Sequence, residues 1–109
     1  HSESSADVAA RVAAARDRQR NRFLELGAAA RTNSDAGSKL IEQIAEPDAE
    51  GLSLLRDAAE SLRLSARGYH RVLKVARTLA DLDAVERVGR LHLAEALSYR
   101  GAHLLREAA

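Results

Sequence analysis

Apolar residues recur every three or four positions along most of this chain, and the breaks between those runs fall at glycine, proline and small polar residues. From Ser4 to Leu26 the positions Val8, Val12, Ala15, Gln19, Phe23 and Leu26 make one mostly apolar stripe, with Arg11, Arg18 and Arg22 on another face. Serine before that run and Gly27 after it are start and stop signals for a long helix. Residues 28–33 read as a connector. A short helix from Asn33 or Ser34 to about Ala45 follows, burying Leu40, Ile41 and Ile44 and weakened by Gly37. Glu46-Pro47-Asp48 is a break, and Asp48 caps a helix to about Leu62 on Leu52, Leu55, Ala58, Ala59 and Leu62. Ser65 caps the next helix, with Leu64 as its staple and Tyr69, Val72, Leu73, Ala76, Leu79 and Ala80 as its apolar face to about Leu82. Residues 83–89 form a loop anchored by Val85 and Val88. A last helix begins near Arg90, buries Leu93, Ala94 and Leu97, and continues through Leu104 and Leu105. The expected fold is all-α, a compact bundle of about five helices.

Composition narrows what such a bundle does. Of 109 residues 46% are hydrophobic and only 3% aromatic, so the core is built of Leu, Val, Ile and Ala. There is no cysteine, which removes disulfides and thiolate metal sites. No run of about 18 apolar residues exists to span a membrane, and no secretory signal pattern is present, which points to the cytoplasm. Methionine is absent, so the chain reads as a segment of something longer. His1-Ser2 reads as a tag remnant, with residues 1–3 a tag remnant or a disordered start and 4–109 one helical domain.

Net charge is +1, but its distribution is uneven. Residues 32–63 carry seven acids against three basic groups, whereas Arg67, Arg71, Lys74 and Arg77 follow one another with no acid until Asp81. Arg67 stands two positions after the Ser65 cap. A cation there opposes the helix dipole, while the free N–H groups of a helix start attract anions. Arg67 beside them suits phosphate recognition, and Arg71 and Lys74 at four- and three-residue steps share its face. A solvated basic face explains the same pattern. His70, His92 and His103 fall on separate segments with no metal-ligand spacing. No GxxxxGK[ST] loop, hydrolase elbow or paired-carboxylate site occurs, so an independent enzyme has no supporting motif. A DNA-binding helical module remains open, though stacking aromatics are nearly absent.

The run Leu64 to Leu82, LSARGYHRVLKVARTLADL, closely resembles the C-terminal domain signature of magnesium-chelatase-like AAA+ ATPases, in their ComM/YifB branch. The likeness extends through His92, Ala94, Glu95, Ala96 and Leu97 to Tyr99-Arg100, and back through Ala14 to Phe23 and Thr32-Asn33. Subunits of magnesium chelatase itself, which insert Mg²⁺ into protoporphyrin, are the competing relatives, and the ARTxADL run favours the ComM side. The resemblance implies a helical lid that packs over nucleotide, with Arg67 in its S-A-R triplet as the sensor-2 arginine on the phosphates. ATP and Mg²⁺ would be bound mainly by a P-loop core outside this chain. Implied partners are that core, neighbouring subunits of a hexameric ring, and DNA through the parent protein. Arg71 and Arg77 also match the family pattern, as supporting or intersubunit contacts or as plain salt bridges. Gly68 departs from it, standing where alanine is common. The alternative is a DNA-binding or subunit-docking module using the Arg67, Arg71 and Lys74 face.

Overall fold

Three helices of the computed structural model, which describes residues 3–98 and 108–109, begin on a side chain that accepts one of their free amides. Helix α1 (Ser5–Leu26) starts where the Ser4 hydroxyl accepts the Asp7 N–H at 3.1 Å, and ends at Gly27, whose φ of 66° is the left-handed conformation a glycine adopts most cheaply. After a connector and a 3₁₀ turn at Asn33–Asp35 come α2 (Ser38–Ile44), α3 (Ala49–Ser61), α4 (Ala66–Leu82) and α5 (Arg90–Ser98). Asp48 caps α3 through the Gly51 N–H at 2.8 Å, and Ser65 caps α4 through the Gly68 N–H at 3.0 Å. Two non-glycine residues take left-handed backbone where helices stop, Arg63 after α3 (φ 52°) and Ala84 after α4 (φ 59°). The next amides, of Leu64 and Val85, return to the carbonyls of Ala59 and Ala80 and close those ends. No strand occurs among the described residues, and the all-α expectation holds.

Helix α4 occupies the centre, against α1, α2, α5 and the 3₁₀ turn, while α3 packs on α5. The main core joins Phe23, Ile41, Leu55, Leu73, Ala76, Ala80, Val88 and Leu93, and a smaller cluster joins Ala15, Leu82 and Ala108. No helix among the described residues is long and apolar enough to cross a membrane.

The structure corrects several details of the pattern reading. The helix expected from Asn33 or Ser34 to Ala45 is two pieces, because the Asp35 carboxylate turns back onto the amides of Arg31 and Thr32 and Ala36 becomes extended. Leu26 is exposed, since the chain leaves the helix at Gly27 and Ala28 and Ala30 close the core instead. Leu62 lies past the end of α3 and is also exposed. Val85 anchors its loop through backbone groups while its side chain faces solvent; Val88 is fully buried as expected. In α5 only Leu93 is wholly buried, with Ala94 and Leu97 partly so. The continuation through Leu104 and Leu105, like His103, lies outside the described residues.

One close approach was invisible to periodicity. A Cβ on Gly51 would stand 2.9 Å from Leu93 Cδ1 and 3.1 Å from Pro47 Cβ, so glycine is what lets α3 seat against α5. In a helix, alanine is better than glycine by about 1 kcal/mol. Overpacking a filled core costs about 1–3 kcal/mol. Gly51→Ala is therefore expected to destabilise by roughly 1 kcal/mol net, the balance of these two terms, read as a lower urea midpoint. Gly37→Ala, with nothing within 4 Å of the new Cβ, is the near-neutral control.

Candidate functional site

The Ser65 cap leaves the amides of Ala66 and Arg67 unused within the helix, and the first turn of α4 contains no acid. Arg67 projects from this turn into solvent and has no hydrogen bond or ion pair among the described residues. Arg71, one turn on, is likewise exposed and unpaired. Lys74 is not a third member of a free stripe, because its ammonium donates to the Ser34 carbonyl at 3.0 Å and ties α4 to the 3₁₀ turn.

Arg77 continues the same spacing but sits inside the protein, 2% exposed. Its guanidinium donates to the carbonyls of Ile44 (3.2 Å), Glu86 (2.8 Å) and Val85 (2.8 Å), and lies 3.2 Å from Asp81 Oδ1. Burial pulls its pKa below the ordinary arginine value, and the Asp81 carboxylate opposes that shift. It thus braces the end of α2 and the loop after α4.

Asp81, fully buried, gathers the rest. Arg22 of α1 donates to both of its oxygens, at 2.5 and 3.2 Å, and Asn33 of the 3₁₀ turn donates to Oδ2 at 3.0 Å. Asn33 also donates to the Thr78 hydroxyl at 2.9 Å, while its backbone N–H meets Gln19 Oε1 at 2.8 Å. Gln19 in turn donates to the Ala108 carbonyl at 2.7 Å, and Arg18 to the Asp81 carbonyl at 3.1 Å. A fork-to-fork arginine–carboxylate pair of this kind fixes orientation as well as charge. In the sequence Arg18 and Arg22 stand on another face of an Arg-rich first helix open to DNA or subunit docking, Asn33 is a candidate helix cap and part of the family likeness, and Asp81 carries no role. Gln19 within an apolar stripe, and Asp81 between Ala80 and Leu82, were the available signals.

Elsewhere the surface offers less. A shallow cavity of about 600 Å³ opens between α2, α3 and α4, lined by Glu42, Glu46, Pro47, Tyr69, Leu73 and Arg87. At its side His70 Nε2 lies 2.5 Å from Glu42, and Arg87 pairs with Glu46 at 3.5 Å. His92 accepts the Gly89 N–H on Nδ1 at 3.1 Å, so the bond to Asp83 at 3.2 Å runs from Nε2–H. His70 and His92 thus each serve a helix junction. Among the described residues no three His, Cys, Asp or Glu side chains form a group that could hold a metal.

Comparison with known proteins adds an independent line. The family described as magnesium chelatase, subunit ChlI C-terminal, matches residues 2–100. Over 98 residues, 90% of this chain, it is 40% identical to competence protein ComM of Haemophilus influenzae and 43% identical to the uncharacterized protein YifB of Escherichia coli. It is 37% identical over the same share to an uncharacterized protein of Mycobacterium tuberculosis strain H37Rv. The matches cover 18% of the length of the first two relatives and 19% of the third. No solved structure matches the chain.

Proposed function

This chain belongs to the magnesium chelatase subunit ChlI C-terminal family, and from that premise we propose that it is the helical lid of a AAA+ ATPase. Its Arg67 acts there as the sensor-2 arginine. The P-loop core that binds ATP and Mg²⁺ is a separate part of the parent protein, and Arg67 reaches the phosphates from the first turn of α4. The observation that carries this reading is a guanidinium without a counter-charge on an otherwise anchored helix: Arg67 is exposed and unpaired while Lys74 and Arg77 of the same helix are engaged. An anion completes such a site, and a polyphosphate whose negative charge shifts during hydrolysis gains most from a fixed cation. When bound, the nucleotide supplies the transferable phosphoryl group; this chain supplies a positioned positive charge and the closure that excludes water. The parent is read as a ComM-like cytoplasmic motor, a hexameric ring acting on DNA, with the core and neighbouring subunits as the lid's partners.

In the full-length protein, Arg67→Ala is expected to lower ATP turnover by about tenfold or more, the scale of losing one charge-stabilising donor, with the circular dichroism and melting temperature of the domain unchanged. Wild-type turnover would remove Arg67 from the nucleotide site. The second reading, a DNA-binding or subunit-docking module, is favoured by Arg71, which shares the face of Arg67 and is also unpaired. Duplex DNA binding by the 109-residue chain alone, weakening steeply with salt, is the result that would place the second reading first.

A further inference from the structure

Burial along α4 is lopsided. Every wholly buried residue of the helix lies between Leu73 and Leu82, whereas Ala66, Arg67 and Arg71 are exposed and Tyr69, His70 and Val72 only partly covered. Most of the polar anchors sit at the same end as the buried residues, where Arg22, Arg77 and Asn33 all converge on Asp81, while nearer the other end Lys74 holds the Ser34 carbonyl and His70 meets Glu42. The helix is therefore held most firmly toward its C-terminal end, with Arg67 fourteen residues from Asp81, or about 21 Å at 1.5 Å per residue. At that radius a tilt of only ~3° moves the Arg67 end by roughly 1 Å, a misplacement that costs catalysis up to about 100-fold where geometry matters.

Among the residues in the grip, Arg22 is the one that couples α4 to α1 by a two-oxygen contact and is not itself indispensable to burial. Its side chain retains 20% exposure and can turn to solvent, while Asp81, left with Arg77 and Asn33, stays compensated. Phosphate recognition by Arg67 and angular control by Arg22 thus reside on different helices, joined through one carboxylate. We infer that Arg22 is a positioning residue for the proposed nucleotide site: its fork on Asp81 sets the angle between α1 and α4 and so the place of Arg67. This inference rests on the lid reading above.

Two measurements test it. In the 109-residue chain, which has no cysteine of its own, spin labels on Ala13→Cys in α1 and Arg71→Cys in α4 report the interhelix distance. Arg22→Ala is expected to broaden that distribution, and an unchanged width overturns the inference. In the full-length protein, Arg22→Ala is expected to lower ATP turnover about tenfold, and to add no further loss when Arg67 is already alanine. If Arg67→Ala is impaired but Arg22→Ala turns over as wild type, or if the two losses multiply, Arg22 does not act through Arg67 and the inference fails while the lid reading stands. If Arg67→Ala is itself unimpaired, both fall. Should Arg22→Ala fail to fold, Arg22→Lys keeps a single-point charge on Asp81 and is expected to fold with intermediate turnover; full turnover in that variant overturns the inference.

Discussion

Asp81→Ala is expected to destabilise the domain by about 3–5 kcal/mol, the cost of leaving a buried charge without its partner. The two arginines that meet this carboxylate differ in what they can do without it. Arg22 retains 20% side-chain exposure and can swing outward, but Arg77, at 3%, is held inside. Its positive charge would remain among Ile44, Val85 and Glu86 carbonyls, which stabilise it only as dipoles. Asn33 would lose the acceptor at 3.0 Å and keep only Thr78. Against a total stability of about 5–15 kcal/mol for a domain this size, the loss takes a large share. Urea denaturation checks it, and a loss below about 1 kcal/mol, the value of an exposed pair, would mean the carboxylate is no hub. Adding Arg77→Met to Asp81→Ala is expected to recover part of the loss by removing the stranded charge. Recovery stays incomplete because three carbonyls then lack their donor.

Phe23→Ala is the second large effect, expected at about 3–5 kcal/mol. Phe23 is the only phenylalanine in the chain and is fully buried. It projects from α1 into a core otherwise made of Ile41, Leu55, Leu73, Val88, Leu93 and small alanines. Ala76 and Ala80 of α4 cannot reach across the space a phenyl ring vacates, so the cavity persists and its cost adds to the lost transfer free energy. The urea midpoint should fall with the slope unchanged, which distinguishes lost stability from a change in the unfolded state. A variant that loses less than about 1 kcal/mol would show that the site collapses and that α1 is less firmly seated than its burial indicates.

Helix ends were the most legible part of this sequence, because capping is local chemistry. Ser4, Asp48 and Ser65 accept amides three residues ahead, and Gly27 takes the left-handed turn, all within a few positions of the signal. The exposure of Arg67 followed from its place two residues after Ser65. What escaped was depth. Arg67, Arg71, Lys74 and Arg77 share one spacing, but the helix sinks into the protein between Arg71 and Arg77, and periodicity describes direction around a helix, not distance from its exposed end. The Asp81 network escaped for a related reason: Arg22, Asn33 and Asp81 are separated by up to 59 residues, and nothing local to any one of them names the others as partners. The run that carried the family resemblance contains Arg77, Thr78 and Asp81, and Thr32-Asn33 flank it in space, so much of that signature encodes the brace and not the chemistry.

The separations within that network also govern when it can form. Arg22 and Asp81 lie 59 residues apart, and Gln19 and Ala108 lie 89 apart. At a synthesis rate of about 5–20 residues per second, α1 waits roughly 3–12 s on the ribosome for the carboxylate that will hold Arg22. During that interval its apolar stripe, Phe23 included, has no α4 to cover it. The long first helix therefore completes its packing against α4 only once residue 81 has been made, and that side of the amphipathic helix stays uncovered until then.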